Sequence, residues 1–139
     1  MPADEFFLDS AYPIALASTT DQHHGAAVKI AIELQASPSQ IVTTRAVLLE
    51  IGNALSKLHL RSFASELLQH FERDPQVEII DLDAGLYRRG LKLFVKRGDK
   101  AWSLTDCISF VAMEERGLTK ALTSDQHFEQ AGFTALLRR

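Results

Sequence analysis

The chain has 139 residues, a formal net charge of −3, 46% hydrophobic and 24% charged residues, a balance that reads as one soluble globular domain over 1–139 with apolar mass for a real core. The acidic balance gives no bulk support to a general nucleic-acid binder, which is usually basic. Its single cysteine, Cys107, excludes an intrachain disulfide and a cysteine-rich zinc site. No segment reaches the roughly 18 apolar residues of a membrane span. The start, "MPADEFFLDS", is acidic and its apolar run is too short for a secretory signal. A reducing, cytoplasmic location and no membrane contact are the expectation.

The short apolar run "EFFL" (5–8) stops at Asp9 and Ser10 and predicts a buried strand. "DQHHGAAVKIAIELQA" (21–36) places Val28, Ala31, Ile32 and Gln35 at helical spacing. "QIVTT" (40–44) predicts a second strand that ends in two possible N-caps. "RAVLLEIGNALSKL" (45–58) then puts Val47, Leu48, Ile51, Leu55 and Leu58 on one helical stripe, with Glu50 on its flank. "LRSFASELLQHFER" (60–73) is amphipathic through Leu60, Phe63, Ala64, Leu67, Leu68 and Phe71. "QVEIIDL" (76–82) predicts a third strand, and 83–98 a helix with an apolar arc of Leu82, Leu86, Leu91, Leu93 and Phe94 opposite Arg88, Arg89, Lys92 and Lys96. A helix over 103–116, a strand at 119–123, a short helix at 125–131 and a strand at 133–137 complete the chain. Strands alternating with helices predict an α/β three-layer sandwich around a mostly parallel sheet.

That topology brings four acids to one place. Asp9 follows the first strand, Asp125 follows the fourth, Glu50 lies in the helix after the second, and Asp106 starts the helix that leads into the fourth. Ligands of open α/β sheets bind at the carboxyl edge of the strands. Carboxylates that converge there repel one another, and must protonate or bind a cation. Oxygen donors select hard ions such as magnesium, manganese or calcium. Three or four acids leave positions open for water and a phosphate oxygen, the arrangement that metal-assisted phosphodiester hydrolysis requires. Each acid also has a structural reading. Asp9-Ser10 can cap a short helix near Tyr12-Pro13, Glu50 can be a surface residue, "SLTD" (103–106) matches a capping box, and "TSD" (123–125) can cap the next helix.

The stretches "FFLDSAYPIAL", "TTRAVLLEIGNAL", "WSLTDCISFVAM" and "LTSDQHFEQAGF" together resemble the PIN domain family, and within it the single-domain toxins of VapBC-type toxin–antitoxin modules. The resemblance implies a five-stranded parallel sheet flanked by helices and an endoribonuclease dependent on Mg2+ or Mn2+. It implies Asp9, Glu50, Asp106 and Asp125 as catalytic metal ligands, and an RNA substrate cut to a 5′-phosphate and a 3′-hydroxyl. It also implies a homodimer and a cognate antitoxin. Ser10, Thr123 and Asn53, which lies one turn after Glu50, take outer-shell roles by the same resemblance. The alternative is a catalytically weak PIN-like domain that binds protein or RNA, although no acid of the set is missing. A phosphatase or receiver reading fits poorly, because residues 9–11 read Asp-Ser-Ala and the last motif offers Asp where a receiver wants Lys.

Other chemistry-bearing residues read as structural. His23 and His24 are adjacent, so their side chains diverge by about 100° on a helix and read as a solvated pair. His127 can touch substrate but has the spacing of an ordinary surface histidine. Cys107 sits in an apolar run without a base and reads as packing. Trp102 reads as packing at a helix start. Arg88, Arg89, Lys92 and Lys96, with Arg97 and Lys100, form a basic stripe that either holds an RNA backbone or is a solvated face. Arg138-Arg139 can extend such a patch.

Overall fold

The computed structural model describes residues 4–138. Five parallel strands form one sheet in the order β3-β2-β1-β4-β5: β1 (Glu5–Leu8), β2 (Gln40–Thr44), β3 (Val77–Ile80), β4 (Lys120–Leu122) and β5 (Thr134–Ala135). The helices are α1 (Ala11–Ala17), α2 (His24–Ala36), α3 (Arg45–Ala54), α4 (Leu58–Arg73), α5 (Ala84–Lys96), α6 (Leu104–Arg116) and α7 (Gln126–Gln130). The strand order runs one way from β1 through β2 to β3 and the other way to β4 and β5. Right-handed crossovers therefore lay α1–α4 over one face and α5–α7 over the other. The helix contacts agree: α1 packs with α2 and α3 with α4, while α5 and α7 pack on α6.

The sheet centre is the core. Phe7, Leu8, Val42, Ala121 and Leu122 are buried in the middle strands, joined by Ile51, Phe110, Met113 and Phe128 from the helices. Phe110 sits between Trp102 and Phe128 in edge-on contacts at 5.0 and 4.9 Å between ring centroids. The strand ends are tied as well as packed. Thr43 donates its hydroxyl to the Leu8 carbonyl at 2.9 Å, and the Asp9 N–H donates to the Leu122 carbonyl at 3.3 Å. After β5 the chain closes in a 3-10 turn, Leu136–Arg138, where the Leu137 N–H donates to the Thr123 carbonyl at 3.0 Å.

α6 shows local sequence acting as written. Ser103 accepts from the Asp106 N–H and Asp106 returns a bond to the Ser103 N–H, each at 3.0 Å, which is a complete capping box. At its other end Gly117 takes φ 67°, open to glycine without a side-chain clash, and the Leu118 N–H reaches back to the Met113 carbonyl at 2.9 Å. α5 crosses α6 closely at Gly90, where a Cβ would stand 2.5 Å from Ile108 Cγ1 and 3.1 Å from its Cα.

The structure departs from the sequence reading in four places. α1 is a helix in its own right, whereas the sequence offered it only as a capping possibility. The predicted helix 45–58 breaks after Ala54, and Leu58 opens α4 at 92% exposed instead of closing the buried stripe. The last strand shortens to two residues and turns into the 3-10 segment. On α5, Leu86, Gly90 and Leu93 face inward, whereas Leu91 and Phe94 are exposed with Tyr87 and Val95. Gly90 draws α6 so near that the packed strip is narrower than the apolar arc.

Candidate active site at the carboxyl edge of the sheet

The sheet reverses its direction of winding between β1 and β4, and open α/β sheets place ligand crevices at that switch point. A crevice of about 350 Å³ lies there. Asp9, Asp21, Glu50, Asp106 and Asp125 all line it, together with His127, and among the described residues neither Lys nor Arg does.

Each acid is delivered by a different element. Asp9 ends β1 and is 4% exposed. Its Oδ2 accepts the Thr123 hydroxyl at 2.7 Å and the Ala11 N–H at 3.4 Å. Burial pushes its carboxyl up to about 7; the Thr123 bond pulls the other way, and the charges of Glu50 and Asp106 add to the rise. Glu50 stands half-buried on α3 and accepts the Ser10 hydroxyl. Asp106 is buried at the third residue of α6, where the capping box holds its Oδ2. Asp125 is the N-cap of α7: its Oδ1 accepts the His127 N–H at 2.8 Å, and its own N–H donates to Thr123 Oγ1 at 3.0 Å. Thr123, fully buried, thus joins Asp9 to Asp125 through one hydroxyl.

The cap and the crevice therefore coexist at Asp106 and Asp125. In Asp9, Asp106 and Asp125 alike, one carboxylate oxygen carries the hydrogen bonds and the other takes none among the described residues. Negative groups held this way, with no lysine or arginine among the described residues on the crevice wall, demand protons or a cation. Oxygen donors with one imidazole beside them suit a hard divalent ion. Asp106, Asp125 and His127 present potential ligand atoms within 4.8 Å of one another.

One acid on the crevice wall escaped the sequence reading, and one histidine there plays a different part from the one weighed. Asp21 lies in the loop before α2, accepts the His23 N–H at 2.8 Å and reaches the crevice only because α1 folds back. His127, weighed in the sequence as a substrate contact or a surface histidine because it follows Asp125 closely, instead holds the acids: its Nδ1 lies 3.0 Å from Asp106 Oδ2 and 3.3 Å from Asp125 Oδ1.

The remaining candidates lie elsewhere. Asn53 is exposed and does not line the crevice. Arg88, Arg89, Lys92 and Lys96 are exposed on α5; Arg89 pairs with Glu115 at 2.7 Å, and Arg89 and Lys92 border a separate groove of about 530 Å³ with Trp102 and Phe110. Arg97 pairs with Asp99 at 2.9 Å and lies 5.0 Å over the Trp102 ring, so that cation is engaged locally. His23 and His24 are half-buried, not a freely solvated pair: their Nδ1 atoms meet the Leu137 and Ala15 carbonyls at 3.2 and 2.8 Å. Cys107 is buried, and burial with the Asp106 charge pushes its thiol up, away from nucleophilic character. Trp102 is buried and donates Nε1–H to Gln130 at 2.9 Å. Arg138 pairs with Glu129 at 2.6 Å, and Arg139 lies outside the described residues.

Fold and crevice together define an α/β domain with an acidic site at its topological switch point. Residues 6–134 match the PIN domain family, and the chain belongs to it. In structure it is similar to the VapC20 toxin of Mycobacterium tuberculosis, described as cleaving the sarcin–ricin loop, at 25% identity over 93% of this chain and 96% of that one, with a TM-score of 0.79. It is also similar to the DNA-bound VapBC of Salmonella typhimurium (15% identity, 95% and 96% coverage, TM-score 0.66) and to FitAcB of Neisseria gonorrhoeae (17%, 94% and 94%, 0.59). No curated protein sequence matches the chain closely enough to count as a relative.

Proposed function

We propose that this chain is an endoribonuclease dependent on Mg2+ or Mn2+ and the toxin of a type II toxin–antitoxin pair. The observation that carries the reading is the meeting of Asp9, Glu50, Asp106 and Asp125 on one crevice wall that, among the described residues, has neither Lys nor Arg. A phosphodiester approaching five carboxylates is repelled unless a metal intervenes. Family membership and the likeness to VapC20 support the nuclease class.

Asp9, Glu50, Asp106 and Asp125 would hold the ion. When bound, a divalent ion supplies Lewis acidity toward the phosphate and toward water. The chain itself supplies geometry. Thr123 keeps Asp9 and Asp125 in register, Ser10 orients Glu50, and the capping box fixes Asp106. Asn53, one turn past Glu50, takes a place outside the ligand set. Exposed Arg88, Arg89, Lys92 and Lys96 supply positive charge for the RNA backbone away from the acids. Hydrolysis adds the water oxygen to phosphorus as the bond to the 3′ oxygen breaks; the 3′ oxygen gains the proton, leaving a 5′-phosphate and a 3′-hydroxyl.

The test is cleavage of structured and single-stranded RNAs by the purified chain with Mg2+ or Mn2+, then with chelator. Activity that survives chelation, or the Asp106→Asn substitution, would sink the assignment. The partner part of the reading, a cognate antitoxin, a homodimer and a cytoplasmic location, is checked by co-purification from the native operon and by the mass of the isolated chain in solution.

A further inference from the structure

We infer that His127 is a positioning residue whose Nδ1–H bridges the Asp106 and Asp125 carboxylates and sets their separation for a divalent cation. The inference rests on the metal-site reading above. Nδ1 lies 3.0 Å from Asp106 Oδ2 and 3.3 Å from Asp125 Oδ1. Ionised carboxylates only accept hydrogen bonds, so the ring nitrogen facing both must carry the proton. A protonated nitrogen has no lone pair for a metal.

The choice of oxygens makes the same point. Asp106 Oδ2 already accepts the Ser103 N–H at 3.0 Å, and Asp125 Oδ1 already accepts the His127 N–H at 2.8 Å. His127 thus adds to the oxygens that the backbone holds. Asp106 Oδ1 and Asp125 Oδ2 are left without a hydrogen bond among the described residues. Groups that hold a ligating carboxylate by its second oxygen orient it and are commonly worth about 10- to 100-fold in metal affinity.

The neighbouring residue makes the bridge stiff. Phe128 is fully buried, 4.9 Å from Phe110 and 6.4 Å from Phe7 between ring centroids. The α7 backbone that carries His127 is therefore pinned to both β1 and α6. Without the imidazole, Asp106 and Asp125 would face each other with only their own caps to fix them.

Mn2+ binding by the full chain tests this, measured by calorimetry and by electron paramagnetic resonance with nitrogen modulation. His127→Ala should weaken Mn2+ binding by about tenfold or more. His127→Asn, whose amide N–H falls near the place of Nδ1, should recover most of that loss. Bound Mn2+ in the unsubstituted chain should show no directly coordinated nitrogen. A directly coordinated imidazole would overturn the inference by making His127 a ligand, and equal affinities for the Ala variant and the unsubstituted chain would overturn it as well. Both outcomes leave the metal site standing. Failure of the unsubstituted chain to bind Mn2+ or Mg2+ would instead overturn the metal-site reading, and this inference with it.

Discussion

Asp9→Asn should stabilise the metal-free protein at high pH while abolishing its stabilisation by metal. The carboxyl has an ordinary value of 3.8 and is pushed up to about 7 in the fold. Below 3.8 the acid is protonated folded or unfolded, and its burial adds no pH-dependent cost. Between the two values the unfolded chain releases the proton and the folded chain keeps it, so stability falls as pH rises. Above about 7 the cost is constant; at about 1.36 kcal/mol per pH unit it is on the order of 4 kcal/mol. Asparagine keeps an acceptor for the Thr123 hydroxyl and carries no charge to bury. Urea unfolding with chelator present, at pH 4 and pH 8, reads the difference between variant and unsubstituted chain, in which most other titrations cancel. The variant should gain roughly 4 kcal/mol at pH 8 relative to pH 4, about 10 °C in Tm for a domain of this size. Added Mn2+ should then raise the stability of the unsubstituted chain and leave the variant unmoved. An equal difference at both pH values, or a variant less stable at pH 8 than the unsubstituted chain, would refute the account of Asp9 as a buried acid awaiting a cation.

Thr123→Val keeps the shape but removes the donor to Asp9 and the acceptor for the Asp125 N–H, leaving a polar group unpartnered; denaturant unfolding should show a loss of about 2–3 kcal/mol, and Thr123→Ser should recover most of it. Gly90→Ala gains about 1 kcal/mol of helix propensity but drives a Cβ into Ile108, an overpacking cost of about 1–3 kcal/mol, so Tm should fall. Combining it with Ile108→Ala should cost less than the sum of the two single changes, because the clash is shared.

What the sequence revealed depended on how local each determinant was. α6 was legible because its start, Ser103 to Asp106, and its apolar run lie within one segment, and the strands were legible as short apolar runs cut off by polar residues. α1 was hidden by Pro13, which looks like a helix breaker. It stands at the third residue of the helix, where a backbone N–H has no intrahelical partner to lose. The break between α3 and α4 carries no capping signature. Lys57 precedes α4 without a side-chain cap, and the turn is held by Ser56 and Arg61 bonding to the Asn53 and Ser56 carbonyls. The convergence of Asp9 and Asp125 followed from topology, since a residue just past a parallel strand lies at its carboxyl edge, while that of Glu50 and Asp106 followed from their places near the starts of helices that begin at the same edge. The bridging of His127 did not, because it depends on how α7 docks beside α6, which is fixed by Phe128 in the core.

The docking of the 3-10 turn onto Thr123 ties the acidic crevice to a segment far from β1 in the sequence. The hydroxyl that joins Asp9 to Asp125 belongs to a residue whose carbonyl is gripped by Leu137. β1 is the central strand, and its partner β4 follows only after β2, β3 and the helices between them. A fragment that lacks β4 would therefore carry Asp9, Glu50 and Asp106 without the crevice they line together. The acidic crevice is thus a property of the assembled sheet and of no single segment, and a local opening at Leu136–Arg138 would loosen the hydroxyl bridge between Asp9 and Asp125 without touching either acid.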